Sequence, residues 1–154
     1  MIPAHLTILK NYIIADGTLN AKIDNSDGNT FIADQLSAIF SPDFTVWRTD
    51  ISSKEIISAI VGSEFVALTA LKQGLLMLLL VPGTINAASS NVQTDFSDIF
   101  SAGTTLTALS TLAKRNATIV EKILSTGTGT IGSPAIMGFE GRLSHNDVHA
   151  ARIS

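Results

Sequence analysis

The stretch FVALTALKQGLLMLLLV, residues Phe65–Val81, separates two possible architectures for this chain. If it crosses a bilayer, the rest of the sequence hangs from a membrane anchor. If it does not, the chain is a helical domain with an unusually apolar helix. A spanning helix needs roughly 20 predominantly apolar residues. Phe65–Val81 falls short of that and carries Lys72, Gln73 and Gly74 in its middle, so its unbroken apolar run is only Leu75–Val81. The pattern predicts a helix over Glu64–Val81, apolar nearly all round from Leu75 onward, and therefore buried on every side. Pro82-Gly83 stops it.

The surrounding sequence predicts more helix. Leu6, Leu9 and Ile13 recur at helical spacing within HLTILKNYIIA, His5–Ala15, before Asp16-Gly17. DNSDGN, Asp24–Asn29, is a turn cluster, and the helical period resumes over Thr30–Phe40. FTVWRT, Phe44–Thr49, is short and extended, rich in β-formers. SSKE, Ser52–Glu55, has the form of a capping box ahead of a helix through Ile56 and Ile60. A helix capped at Ser90 or Asn91 carries Phe96, Ile99 and Phe100 as far as Gly103. The longest helix is expected from Thr104 to Leu124, closed by Gly127. SHND, Ser144–Asp147, caps a short final helix ending at Arg152. The expected fold is mainly α: a helical bundle of five or six helices, an extended Gly-rich C-terminal arm and a short terminal helix. Residues 1–125 form the helical domain and 126–154 the arm for partner docking.

Composition narrows the function. Apolar residues make up 45% and charged residues 15%, against a usual charged share of about 25%. Mean hydropathy is +0.36. Without a spanning helix, these values point to a surface covered by partner subunits. The net charge of −3 gives no electrostatic basis for gripping nucleic acid. The absence of cysteine removes disulfides, thiolate zinc sites and a cysteine nucleophile. The N-terminus lacks the features of a secretory signal, so synthesis in the cytoplasm is expected.

Each chemical motif fails its context test. STGTGTIGSPAI, from Ser125, has no lysine for a phosphate loop and follows a helix where a dinucleotide loop would follow a strand. His145 and His149 share a helical face, but Asp147 points away and no third ligand is apparent. In DNSDGN, counting back from Gly28 puts Ile23 where a calcium loop requires aspartate. No GxSxG elbow occurs. No catalytic, cofactor-binding or metal-binding residue is expected, no cofactor is implied, and the chain is not expected to be an enzyme. Trp47 beside Arg48 pairs two residue types enriched in interface anchors, and a core tryptophan beside a surface arginine fits equally well.

FTVWRTDISSKEI (Phe44–Ile56), DFSDIFS (Asp95–Ser101) and LSTLAKRNATIVEKILSTGTGTIGSPAIMGFEGRLSHNDVHAAR (Leu109–Arg152) resemble, in that order, a family of small proteins encoded among tailed-bacteriophage virion genes. In that family a helix of "WRR-x-AT-x-x-E-K" character runs into "ATGTG…SPA…FEG.LSYQDV..AR". Here AKRNATIVEK, STGTGTIGSPAIMGFEG and LSHNDVHAAR stand in those places. Lys114 replaces an expected aromatic, and SHNDV replaces an aromatic-containing version.

The resemblance implies a virion structural protein of head–tail adaptor, or head-completion, type. Such a protein forms a homo-oligomeric ring, usually dodecameric, beneath the portal protein and above a tail-side neck protein. DNA passes through the ring without specific binding, no membrane is involved, and the protein resides at the head–tail junction. The alternatives are another virion component, such as a capsid accessory or tail-end protein, or a small membrane-active protein. On the adaptor reading Trp47 and Arg48 contact partners, and Ile136, Met137 and Phe139 form the apolar plug of the arm. Arg142, Leu143, Val148 and Arg152 then seat its terminal helix. Removal of Thr126–Ser154 should leave the helical domain folded.

Overall fold

Local signals set most of the helix starts. Pro3 sits in the first turn of α1, Pro3–Ala15, where its missing N–H is harmless. Asp16 accepts from the amides of Thr18 and Leu19 to start α2, Gly17–Asn20. Asn25 caps α3, Ser26–Leu36, so the end of the predicted turn cluster is already helix. The Ser52–Glu55 capping box forms as expected: the Glu55 amide donates to Ser52 Oγ at 3.2 Å and the Ser52 amide to Glu55 Oε2 at 2.9 Å. It opens α4, Ser53–Ala59.

The computed structural model describes residues 1–154 and is mainly α, as expected. It has ten helices rather than five or six, because several predicted segments are divided. The apolar stretch breaks at Ala67–Thr69 into α5, Gly62–Val66, and α6, Ala70–Leu80, with Thr69 capping the second. No helix is long and apolar enough to cross a membrane. After α7, Ser90–Phe100, the long helix expected over Thr104–Leu124 is instead α8, Thr104–Leu112, then an extended segment, then α9, Ile119–Ile123. Thr118 and Glu121 form a second capping box that restarts the helix. Upstream of it, the Ala117 amide donates to Phe44 O and its carbonyl accepts from Phe40 N, which holds that backbone extended. The last helix, α10, His145–Ile153, begins at the Ser144–Asp147 box as predicted.

Six short strands complete the fold: β1 Thr45–Trp47, β2 Ile51–Ser52, β3 Thr84–Ile85, β4 Lys114–Asn116, β5 Ser125–Thr126 and β6 Ile136–Met137. They pair as β1–β4, β2–β3 and β5–β6. In β2–β3, Ile51 faces Ile85; in β5–β6, Ser125 faces Met137, both antiparallel.

The chain divides into two units. The first comprises Met1–Val46 and Asn116–Ser154, and the second Trp47–Arg115. In the first, Leu9 and Ile13 of α1 pack with Ile32 and Leu36 of α3, Val120 and Leu124 around α9, and Leu143, Val148 and Ala151. A smaller cluster joins Val46, Ala117 and Ala135. The segment expected to be a free arm is thus part of this unit. Its terminal helix packs on α1 and α3, and its glycine-rich part is tied down by backbone bonds from Thr45 N to Gly129 O and from Ala135 N to Thr45 O. The physical reason is apolar burial: Val148 and Ala151, one turn apart, close the core. In the second unit, Ile51, Ile56, Leu76, Ile85, Phe96, Ile99 and Leu109 form the core.

Candidate partner-binding surface

In the second unit the outward face of α6 is an exposed apolar stripe. Ala70, Leu71, Gly74, Met77, Leu78 and the following Val81 are exposed, at the spacing of one helical face. Leu71 is 85% exposed, Leu78 67% and Val81 77%. The opposite face buries Leu76. No charge interrupts the exposed face. The only charged residue of α6, Lys72, turns its Nζ to the carbonyls of Asp98 and Ile99 at the end of α7. That contact satisfies orphan carbonyls and places a cation at the negative end of a helix dipole.

A second feature of this unit is a cavity of about 300 Å³ walled by Trp47, Ile56, Val92, Phe96, Leu106 and Leu109, among others. Exposed Ser97 and Ser110 mark its solvent side, and no residue of α6 lines it. Gln93 is held at the wall by a 2.7 Å bond from its Nε2 to Ala87 O. The cavity opens to solvent past these two serines, and its apolar walls give water inside it few hydrogen-bond partners.

Around these features the unit is braced by carboxylates at helix starts. Glu64 accepts from the amides of Thr104 and Thr105 at 2.9 and 3.0 Å, which caps α8 from outside. These bonds, with the Thr105 hydroxyl first, hold its carboxyl below the usual range. Glu55 is lowered to about 2 by the Ser52 amide and hydroxyl and then by Arg48. Arg48 itself lies 3.0 Å from Glu55 and 3.3 Å from Asp50. Trp47 packs half-buried against the core, with Lys114 Nζ 5.5 Å from its ring centre.

The remaining sequence-predicted contact residues belong to the first unit. Ile136 is exposed, whereas Met137 and Phe139 are half-buried against its clusters. Arg142 is exposed and pairs with Asp34 at 3.0 Å. Leu143 and Val148 are core residues. Arg152 is committed internally, donating to Asn29 Oδ1 at 3.2 Å and Lys22 O at 2.7 Å. The structure therefore leaves Ile136 and Arg142 of this group open to solvent and places the rest wholly or partly inside the unit. His149 meets Asp24 at 3.1 Å; with Asn29 acting first, this contact lowers the Asp24 carboxyl from its ordinary value.

The motifs that carry the resemblance have structural work in this unit. Glu121, from AKRNATIVEK, is 1% exposed. One of its oxygens accepts from Thr118 N at 2.9 Å and the other from Gly141 N, in GFEG, at 3.1 Å. Ser37 Oγ accepts from Leu143 N at 3.1 Å. Gly129 has φ +66°, and a Cβ there would overlap the ring of Phe44, so glycine is required on both counts. Lys122 Nζ stands 3.4 Å from the Phe40 ring centre.

The outward face of α6 escaped sequence reasoning. Nothing polar marks one side of LLMLLLV, so the run read as buried all round. No protein-family model, curated protein or solved structure matches the chain.

Proposed function

We propose that the chain is a structural, non-catalytic protein of a tailed-phage virion, a head–tail adaptor that assembles as a homo-oligomeric ring between the portal and the tail-side neck protein. The observation that carries the assembly part is the uncharged face of α6, with Leu71, Met77, Leu78 and Val81 all more than half exposed. A contiguous apolar face of that kind marks an interaction surface. The resemblance of AKRNATIVEK, STGTGTIGSPAIMGFEG and LSHNDVHAAR to the phage family supplies the class.

The fold changes how such a role would work. With Leu143, Val148 and Ala151 in the core of the first unit, the C-terminal helix stabilises the subunit. Contacts to portal or tail from this unit fall instead to exposed side chains such as Ile136 and Arg142. The test is a nonsense mutation early in the gene, in a phage that carries it. DNA-filled heads without tails, rescued by the gene supplied in trans, are expected. Normal tailed particles, or a defect in head formation, would overturn the adaptor assignment.

A further inference from the structure

The floor of the cavity is the core of the second unit: Ile51, Ile56, Ile85, Phe96 and Leu109 line it and are all buried. It is a recess into the interior, with its mouth where α7 and α8 present Ser97 and Ser110 to solvent. No charged side chain lines it, and its polar contributors Ser97, Ser110 and Gln93 are neutral. A charged group placed inside would lose its hydration with no counter-charge to replace it. An apolar body with one neutral polar end avoids that cost, because the body takes the floor and the end meets a serine hydroxyl or water at the mouth. Size sets the rest. About 300 Å³ is at the small end of the range for ligand sites. It is also roughly twice a dry cavity that holds benzene, so it suits a molecule of about ten to twelve non-hydrogen atoms.

We propose that this cavity is a binding site for a small neutral aromatic molecule, two fused rings in bulk, carrying one hydroxyl-like polar group. Trp47 and Phe96 among the walls favour rings, which pack against them edge-on or offset. The polar group lies at the mouth, within the reach of Ser97 and Ser110. The site is independent of the ring reading above, since no residue of α6 lines it. A ligand of this size has few atoms with which to gain affinity, so binding in the micromolar-to-millimolar range is expected.

The site is tested on the full chain by isothermal titration calorimetry with 2-naphthol as the probe. The wild type should bind one equivalent saturably. Ser110→Trp, at an exposed position at the mouth, and Ala113→Phe, from the wall, each put a ring into the space the probe needs. Each should weaken binding by about tenfold or more, with helical circular dichroism intact. Leu71→Asp alters the exposed stripe of α6 and touches no residue position of the cavity lining. It should leave the affinity unchanged.

A second readout needs no variant and so survives any failure of a variant to fold. In a two-dimensional amide spectrum of the wild type, 2-naphthol should shift resonances around Ser97 and Ser110 and leave those of Leu71 and Leu78 in place. Absence of saturable binding up to the solubility limit of the probe would overturn the proposal. So would affinity that survives both ring insertions in folded protein, or that is lost in Leu71→Asp. Shifts confined to α6 would overturn it too, because the probe would then sit on the exposed stripe.

Discussion

Glu121→Ala is the sharpest perturbation of the first unit. The carboxylate is 1% exposed and is the acceptor for two backbone donors, Thr118 N–H and Gly141 N–H. Truncation leaves both without that acceptor. Thr118 is half-buried and Gly141 exposed, so water can take over part of each bond; at about 0.5–1.5 kcal/mol per hydrogen bond the loss should total about 1–3 kcal/mol. Against a typical stability of about 5–15 kcal/mol, that is a large fraction. Glu121→Gln keeps the volume and one acceptor oxygen, and should lose roughly half as much. Urea unfolding followed by far-ultraviolet circular dichroism gives both values from the shift in midpoint at constant slope. A loss under about 0.5 kcal/mol for Glu121→Ala would refute the claim that this residue ties α9 to the Gly141 loop.

Other expectations follow from the same geometry. Truncation after Arg142 removes Leu143, Val148 and Ala151 from the core. It should unfold the first unit, visible as lost helical signal beyond the share of α10, the opposite of what a free arm would give. Gly129→Ala, at φ +66° and against Phe44, should destabilise by about 1–3 kcal/mol, read as a lowered thermal midpoint. Leu76→Ala, in the core of the second unit, should lose about 2–5 kcal/mol by the same assay. For Glu55, the folded carboxyl sits at about 2 against an ordinary 4.5. The folded value is the lower one, so its stabilisation is present above pH 4.5 and is lost as pH falls toward 2. Glu55→Gln should flatten that part of the acid-unfolding profile, measured as unfolding midpoint against pH.

What could be read in advance was whatever a few adjacent residues determine. The Ser52–Glu55 and Ser144–Asp147 boxes start α4 and α10 where expected, because the cap is a local hydrogen-bond pattern. Pro82-Gly83 likewise follows the end of α6. The long helix over Thr104–Leu124 failed for a reason that was partly legible: Thr118-x-x-Glu121 is itself a capping box. Its other cause, pairing of Ala117 with Phe40 and Phe44, is a tertiary contact that no local pattern announces.

The C-terminal segment looked like an arm because glycine, threonine and serine dominate its first half. Yet Val148 and Ala151 suffice to seal a core when Leu143 and the Glu121–Gly141 bond bring the segment back. The α6 face was hidden by its own uniformity. Burial on one side and exposure on the other cannot be told apart in a run of leucines. Of the contact residues expected from the sequence, those with large apolar side chains were mostly claimed by the subunit's own interior.

The most direct measurement is immunogold labelling of intact and tail-less particles with an antibody against this chain. A virion neck component predicts label confined to the junction of head and tail on intact particles, and at the portal vertex of tail-less heads. Label spread over the capsid or at the far end of the tail, or no label on any particle, would contradict it.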